Sequence, residues 1–187
     1  GSTRVTVDKY HYKGDWILRT HPTSGKTEIV AHGPVGKQCI PCSVLDPKRL
    51  IFYGSTSAGD RADKRQTFFA YDTKAKKLLY RSYDGPSRYM IFAKSTGKLY
   101  YTPKLSGKLL RYDPKVGGAP VQLDAEIGLR AATQETPDGY VYTVSTRPEA
   151  AIYRFNTRTE KVDKLAPAAV GKMTYITTID ADPAGRY

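Results

Sequence analysis

Hydrophobic positions along the chain fall into short runs of β-branched and aromatic residues, and Gly, Pro, Asp and Lys separate these runs. Typical runs are Leu50-Ile51-Phe52-Tyr53, Leu99-Tyr100-Tyr101 and Tyr140-Val141-Tyr142. Side chains of these types favour strands, and the residues between them favour turns. No segment of eleven or more residues repeats its apolar residues every three or four positions, as an amphipathic helix does. The pattern therefore predicts an all-β protein.

The runs recur as four copies of one unit. One basic residue marks the same point of each copy, namely Lys37, Arg88, Arg130 and Lys172, at separations of 51, 42 and 42 residues. Each basic residue precedes the first strand of its copy, and a turn such as Pro137-Asp138-Gly139 follows that strand. A period of about 40–50 residues built from short strands is typical of a β-propeller, whose blades are four-stranded antiparallel sheets.

Each repeat contains four strands, which we name A to D in chain order. Strand A is predicted at 38–45, 89–94, 131–136 and 173–180. The first blade is expected to take strands B, C and D from the N-terminus and strand A from the C-terminus, because this pairing removes open sheet edges. Two forms satisfy the pattern: a closed four-bladed ring in one chain, or half of an eight-bladed ring formed by two chains.

The prediction is a single β-propeller domain over residues 3–187, and Gly1-Ser2 resembles the remnant of an expression tag. Its blades are predicted at about 3–36 together with 172–187, 37–85, 86–128 and 129–171. A chain of 187 residues fits one domain. No apolar run is long enough to cross a membrane, so no membrane partner is expected. The sequence does not indicate a cellular compartment.

Several motifs are similar to those of a known superfamily. They are Tyr71-Asp72, Tyr112-Asp113-Pro114 and Phe155-Asn156 with the turns after them, the turn Pro137-Asp138-Gly139, and the stretches Gly85–Tyr101 and 180–187. The repeat resembles the gluconolactonase-type and YVTN/quinoprotein-like propellers, including uncharacterised bacterial propeller proteins. Such lactonases hold a divalent cation with Glu, Asn and Asp. Here the inner strands offer Glu135 alone, so we expect no metal and no cofactor.

Charge gives the first indication of function. The chain has 30 Lys and Arg against 18 Asp and Glu, which is a formal net charge of +12. A basic surface suits an anionic partner, and an acidic glycan is the class that we expect. No nucleic-acid recognition motif is present, so nucleic acid is not the expected partner.

Equivalent positions of a propeller surround its axis, so the four recurring cations predict an electropositive mouth. The predicted ligand-binding residues are Lys37, Arg88, Tyr89, Arg130, Lys172 and Tyr175, with the tyrosines as platforms on which sugar rings stack. The first hypothesis is a non-catalytic binding module for an anionic ligand, and we assign no catalytic residue.

Two alternatives remain open. One is a scaffold that assembles with a second copy into a larger ring and has no ligand of its own. The other is a lyase or lactonase acting on an anionic sugar, with His32 or Tyr89 as its base. The expected oligomeric state is therefore either a closed monomer or a homo-oligomer, with a dimer as the simplest case.

The two cysteines form the motif Cys39-Ile40-Pro41-Cys42. On a regular strand, residues three apart point to opposite faces and lie about 10 Å apart. That separation is too long for a disulfide unless Pro41 interrupts the strand. We therefore expect Cys39 and Cys42 to be small core residues.

Overall fold

The computed structural model describes residues 11–58, 66–86, 88–104, 106–145, 150–165, 176 and 178–182. These residues contain fourteen strands and no helix. No helix that could cross a membrane is found in this part of the chain. The chain divides into two compact units, residues 1–85 and 86–187.

The first unit contains a hairpin and a four-stranded sheet. The hairpin pairs β1 (Trp16–Thr20) with β2 (Thr27–His32). The sheet consists of β3 (Gln38–Asp46), β4 (Ile51–Ala58), β5 (Thr67–Asp72) and β6 (Lys77–Ser82). Its strands are antiparallel and lie side by side in chain order.

The second unit contains two further four-stranded antiparallel sheets, again with their strands in chain order. One sheet consists of β7 (Ile91–Ala93), β8 (Lys98–Tyr101), β9 (Leu110–Tyr112) and β10 (Val121–Gln122). The other consists of β11 (Ala131–Ala132), β12 (Tyr140–Ser145), β13 (Ala151–Asn156) and β14 (Val162–Lys164).

The all-β prediction is confirmed, and so is the division into four-stranded antiparallel sheets of blade type. Strand A of the first blade, predicted at 173–180, lies mostly outside the described residues, and the described residues 178–180 form no strand. The choice between a closed ring and a half-ring stays a prediction. The blade boundaries also stay a prediction.

Short polar side chains close the turn between the third and fourth strands of each sheet. Asp72 accepts hydrogen bonds from the backbone N–H groups of Lys74 and Ala75, at 2.8 and 2.7 Å. Asn156 does the same for Arg158 and Thr159, and Asp113 accepts a bond from Lys115. His21, the counterpart in the β1–β2 hairpin, accepts a bond from Ser24 at 3.3 Å. Side chains that bond to backbone two or three residues later favour turns.

The core of the first unit lies between the hairpin and one face of the β3–β6 sheet. Ile17 and Val30 of the hairpin pack against Phe69 and Tyr71 of β5. The opposite face of the sheet is also buried, with the rings of Tyr53 and Phe68 stacked at a centroid distance of 6.5 Å. The β3–β6 sheet is therefore covered on both faces.

The core of the second unit lies between its two sheets. Ile91 and Tyr100 of the first sheet pack with Val141 and Phe155 of the second. The rings of Tyr100 and Phe155 meet edge to face at 4.9 Å, a favoured aromatic geometry. Leu109 and Ile127, in the connecting segments, complete this cluster.

Glycine is required where the chain crosses closely over a neighbouring strand. A Cβ atom at Gly128 would lie 2.3 Å from the carbonyl carbon of Val144, and one at Gly85 would lie 2.6 Å from that of Thr67. Both contacts involve backbone, which cannot move aside as a flexible side chain can. Both glycines lie in the segments that lead into the first strand of a sheet.

We expect Gly128→Ala to destabilise the protein by about 1–3 kcal/mol, because the added methyl group overlaps the backbone of β12. The measurement is the free energy of unfolding from urea denaturation. The matched control is Gly36→Ala, since Gly36 has open space around its Cβ position and no positive φ. Equal stability of the two variants would contradict the close approach.

Candidate functional site

The two sheets of the second unit meet at an end that we call the turn end. There Glu135, just after β11, accepts hydrogen bonds from the Ser95 backbone N–H at 2.8 Å and the Ser95 hydroxyl at 2.6 Å. The hydroxyl of Thr157 donates to the same carboxylate at 2.5 Å. Glu135 therefore joins the turn after β7 to the turn after β13. The sequence identified Glu135 as a carboxylate of an inner strand, but it did not predict that Glu135 links these two turns.

A second carboxylate strengthens the turn end. Glu160 accepts hydrogen bonds from Arg111 at 2.7 Å, from the Tyr100 hydroxyl at 3.0 Å and from Lys98 at 3.3 Å. Its side chain is only 18% exposed. Burial alone would raise the pKa of Glu160, but these three donors outweigh burial and hold the pKa below its usual value. Burial raises the pKa of Tyr100, and so do the negative charge of Glu160 and the hydrogen bond to it.

The opposite end of the two sheets, which we call the loop end, carries the segments that lead into β7 and β11. The Tyr89 hydroxyl donates to the carbonyl oxygen of Gly128, so the two segments touch. Burial raises the pKa of Tyr89. Arg88 directly precedes Tyr89, and Arg130 lies two residues after Gly128. The structure therefore brings together the segments that carry two of the predicted cations.

The two arginines differ in their surroundings. Arg88 is exposed and makes no ion pair with a described residue. Arg130 is half-buried, and its backbone N–H donates to the Val144 carbonyl at 3.0 Å. This bond extends the pairing of β11 with β12 and fixes where the Arg130 side chain leaves the backbone.

Lys37 occupies the same point of the first unit, directly before β3. Its backbone has a φ of 59°, in the left-handed region that few residues other than glycine adopt. Its N–H donates to the Lys13 carbonyl at 3.1 Å, and its side chain is exposed without an ion pair to the described residues. The remaining predicted site residues, Lys172 and Tyr175, lie outside the described residues.

The turn end also contains a cavity of about 580 Å³ that the sequence did not predict. Lys94, Gln134 and Glu135 line it together with Asp180 and Asp182. Lys94 donates to Gln134 at 3.1 Å, and Glu135 is already bound to Ser95. The described part of the chain holds no group of three or more His, Cys, Asp or Glu side chains placed to bind a metal ion.

No protein-family model and no curated protein matches the chain. Among solved structures, it is similar to the β-propeller domain of Myceliophteria thermophila Cps50 (Swd1), with a TM-score of 0.60 and 9% identity over 90% of this chain. It is also similar to Saccharomyces cerevisiae Sqt1, with a TM-score of 0.58 and 13% identity over 89% of this chain. The Dos1 propeller matches 86% of this chain, with a TM-score of 0.56 and 10% identity.

These likenesses support the β-propeller fold and, at such low identity, the fold alone. The chain spans about half the length of the solved chains that it matches, with 57% of Cps50, 48% of Sqt1 and 41% of the Dos1 propeller covered. The resemblance to gluconolactonase-type and YVTN propellers stays a prediction.

The lowered pKa of Glu160 predicts an acid-sensitive contact. A carboxyl group whose folded pKa lies below its unfolded value, about 4.3, stabilises the fold above that pH and loses the contribution as pH falls through the folded pKa. We expect Glu160→Gln to destabilise the protein at neutral pH by about 1–2 kcal/mol. The difference from wild type should shrink in acid. Urea denaturation of both proteins at neutral and acidic pH measures it, and a difference that does not change with pH would contradict the assignment.

Proposed function

We propose that this protein is a non-catalytic binding module whose cationic positions Lys37, Arg88, Arg130 and Lys172 bind an anionic ligand, with an acidic glycan as the preferred class. The contact that supports this most is the one between Tyr89 and Gly128, because it brings the segments carrying Arg88 and Arg130 together at the loop end. Each cation would make the same kind of contact with the ligand, once per repeat.

The chemistry of the loop end suits carboxylate and sulfate groups. A guanidinium group presents its donors in a planar fork that matches such anions with two parallel hydrogen bonds. Arg88 at the loop end is exposed, as is Lys37 in the first unit, and no described carboxylate neutralises either. The turn end differs, because Lys98 and Arg111 are already bound to Glu160. Cations without an internal partner retain their charge for a ligand.

We expect Arg88→Ala combined with Arg130→Ala to weaken binding to polygalacturonate or heparin fragments about tenfold, which corresponds to ~1.4 kcal/mol. The charge-matched control is Lys74→Ala combined with Lys115→Ala, since both lysines are exposed and lie in turns between the third and fourth strands of their sheets. Isothermal titration calorimetry at two salt concentrations measures the effect, and wild-type affinity should fall with salt.

The control distinguishes binding at the loop end from a general attraction of the anionic ligand to the positive charge of the protein. Equal weakening in both double variants would reduce the effect to net charge and contradict a site at the loop end. An unsaturated product appearing in the polygalacturonate samples, seen by its absorbance, would favour the lyase alternative. Circular dichroism of each variant checks that the fold is kept.

A second candidate function, assembly with another copy of the chain, is favoured by one face of the β1–β2 hairpin. Trp16, Leu18 and Ile29 lie on that face, and each is 54% exposed. The opposite face packs against the β3–β6 sheet, which is itself covered on both sides. An apolar sheet face of this kind is typical of an interaction surface.

Trp16 is the only tryptophan, so its fluorescence reports on that face alone. We expect a dimer in light scattering and lower acrylamide quenching of Trp16 as the protein concentration rises through the micromolar range. Trp16→Ser should abolish the dimer, whereas Val116→Ser, which removes an 82% exposed side chain elsewhere, should not. A monomer at every concentration, with Trp16 either exposed or shielded throughout, would contradict assembly through this face.

A further inference from the structure

The register of β3 against β4 changes the relation between the two cysteines. Cys39 lies opposite Ser57, and Cys42 lies opposite Ser55. Three residue steps on β3 therefore correspond to two steps on β4, which is a β-bulge at Ile40 and Pro41. Because Ser57 and Ser55 are two positions apart, they point to the same face of the sheet. The bulge places Cys39 and Cys42 on that face too, whereas a regular strand would separate them.

Specific contacts fix the bulge in place. The Ile40 N–H donates to the Asp15 carboxylate at 2.7 Å instead of pairing with β4. Pro41 has no N–H to donate, so it is tolerated where the ladder is interrupted. The side chain of Asp15 also accepts a bond from the Tyr12 hydroxyl, which holds the carboxylate in position. The bulge is therefore supported by its surroundings on the hairpin side.

We propose that Cys39 and Cys42 form a dithiol site that a low-molecular-weight disulfide, such as oxidised glutathione, converts to an intramolecular disulfide. Both side chains are half-buried, so a small reagent can reach them. The Cys39 sulfur lies 2.8 Å from the Ser57 hydroxyl oxygen, which orients it along the shared face. This site is independent of the proposed loop-end cations.

The spacing that the register implies for the two cysteines is slightly longer than a disulfide requires. Residues two apart on a regular strand are separated by about 7 Å, and disulfides join Cα atoms up to about 6.8 Å apart. A bulge bends its strand and increases the local twist. Forming the bond requires the two Cα atoms to move slightly closer together. That movement occurs at the bulge, where β3 already departs from regular geometry.

The reaction balances without a further reagent. The thiolate of one cysteine attacks a sulfur of oxidised glutathione, forms a mixed disulfide and releases one reduced glutathione. The thiolate of the other cysteine then attacks the protein sulfur of that mixed disulfide and releases the second. The two protein thiols give up their protons and two electrons, and one oxidised glutathione becomes two reduced molecules.

Intact-mass spectrometry after incubation with glutathione buffers and acid quenching tests the proposal. We expect wild-type protein to lose two hydrogen atoms and to carry no glutathione at equilibrium. Cys42→Ser should instead retain a glutathione adduct, because it has no second thiol to displace it. Ser57→Ala should shift the equilibrium several-fold toward the disulfide, since it removes the hydroxyl contact of the reduced Cys39.

The matched control moves the second thiol by one residue. Cys42→Ser combined with Ser43→Cys keeps two cysteines, but Ser43 lies opposite Gly54 and points to the other face. This variant should form glutathione adducts only. Wild-type protein that stays reduced, or that also gives only adducts, would overturn the proposal, and so would equal disulfide formation in the control. Matching thermal unfolding midpoints show that the variants are folded.

Discussion

The edge-to-face contact between Tyr100 and Phe155 is the interaction on which the second unit depends. Tyr100 belongs to one sheet and Phe155 to the other, and both side chains are fully buried. The ring of Tyr100 lies in the apolar cluster, while its hydroxyl leaves that cluster and bonds to Glu160 and to the Thr157 carbonyl. One side chain thus joins the packing of the core to the polar contacts of the turn end. Replacing either ring would affect both.

The two ends of the unit use charge in opposite ways. At the turn end, Glu160 binds Lys98 and Arg111, so the charges neutralise one another and stabilise the fold. At the loop end the contact between segments is a neutral hydrogen bond from Tyr89 to a backbone carbonyl. That contact uses no charge of Arg88, which is exposed and makes no ion pair with a described residue. The ion pairs of Glu160 therefore lie at the end of the unit opposite to Arg88 and Arg130.

The sequence predicted the strands whose side chains alternate clearly and missed the features that depend on tertiary contacts. The run Leu99-Tyr100-Tyr101 was predicted to be a strand, and it lies in β8. The predicted strand 131–136 is shorter in the structure, where β11 is Ala131–Ala132. The residues after β11 contact β12 through side-chain and turn hydrogen bonds, such as the one that the Tyr142 N–H donates to the Thr133 hydroxyl. The bulge at Ile40 also escaped prediction, since it depends on Asp15, which lies 25 residues earlier. The recurring cations were visible as a pattern, whereas Glu160 carries no local signal: its role requires two sheets to meet.

The side-chain-capped turns have a consequence for how the chain folds. In the turns at Asp72, Asp113 and Asn156, the side chain bonds to backbone groups only two or three residues later, so these contacts form without distant parts of the chain. Contacts of low sequence separation close rapidly, and hairpins form within microseconds. Each of these hairpins can therefore form early, before the sheets stack. Stacking the two sheets brings together residues such as Tyr100 and Phe155, which are 55 positions apart. Closing so long a loop costs more entropy than closing a hairpin, so we expect this step to set the folding rate.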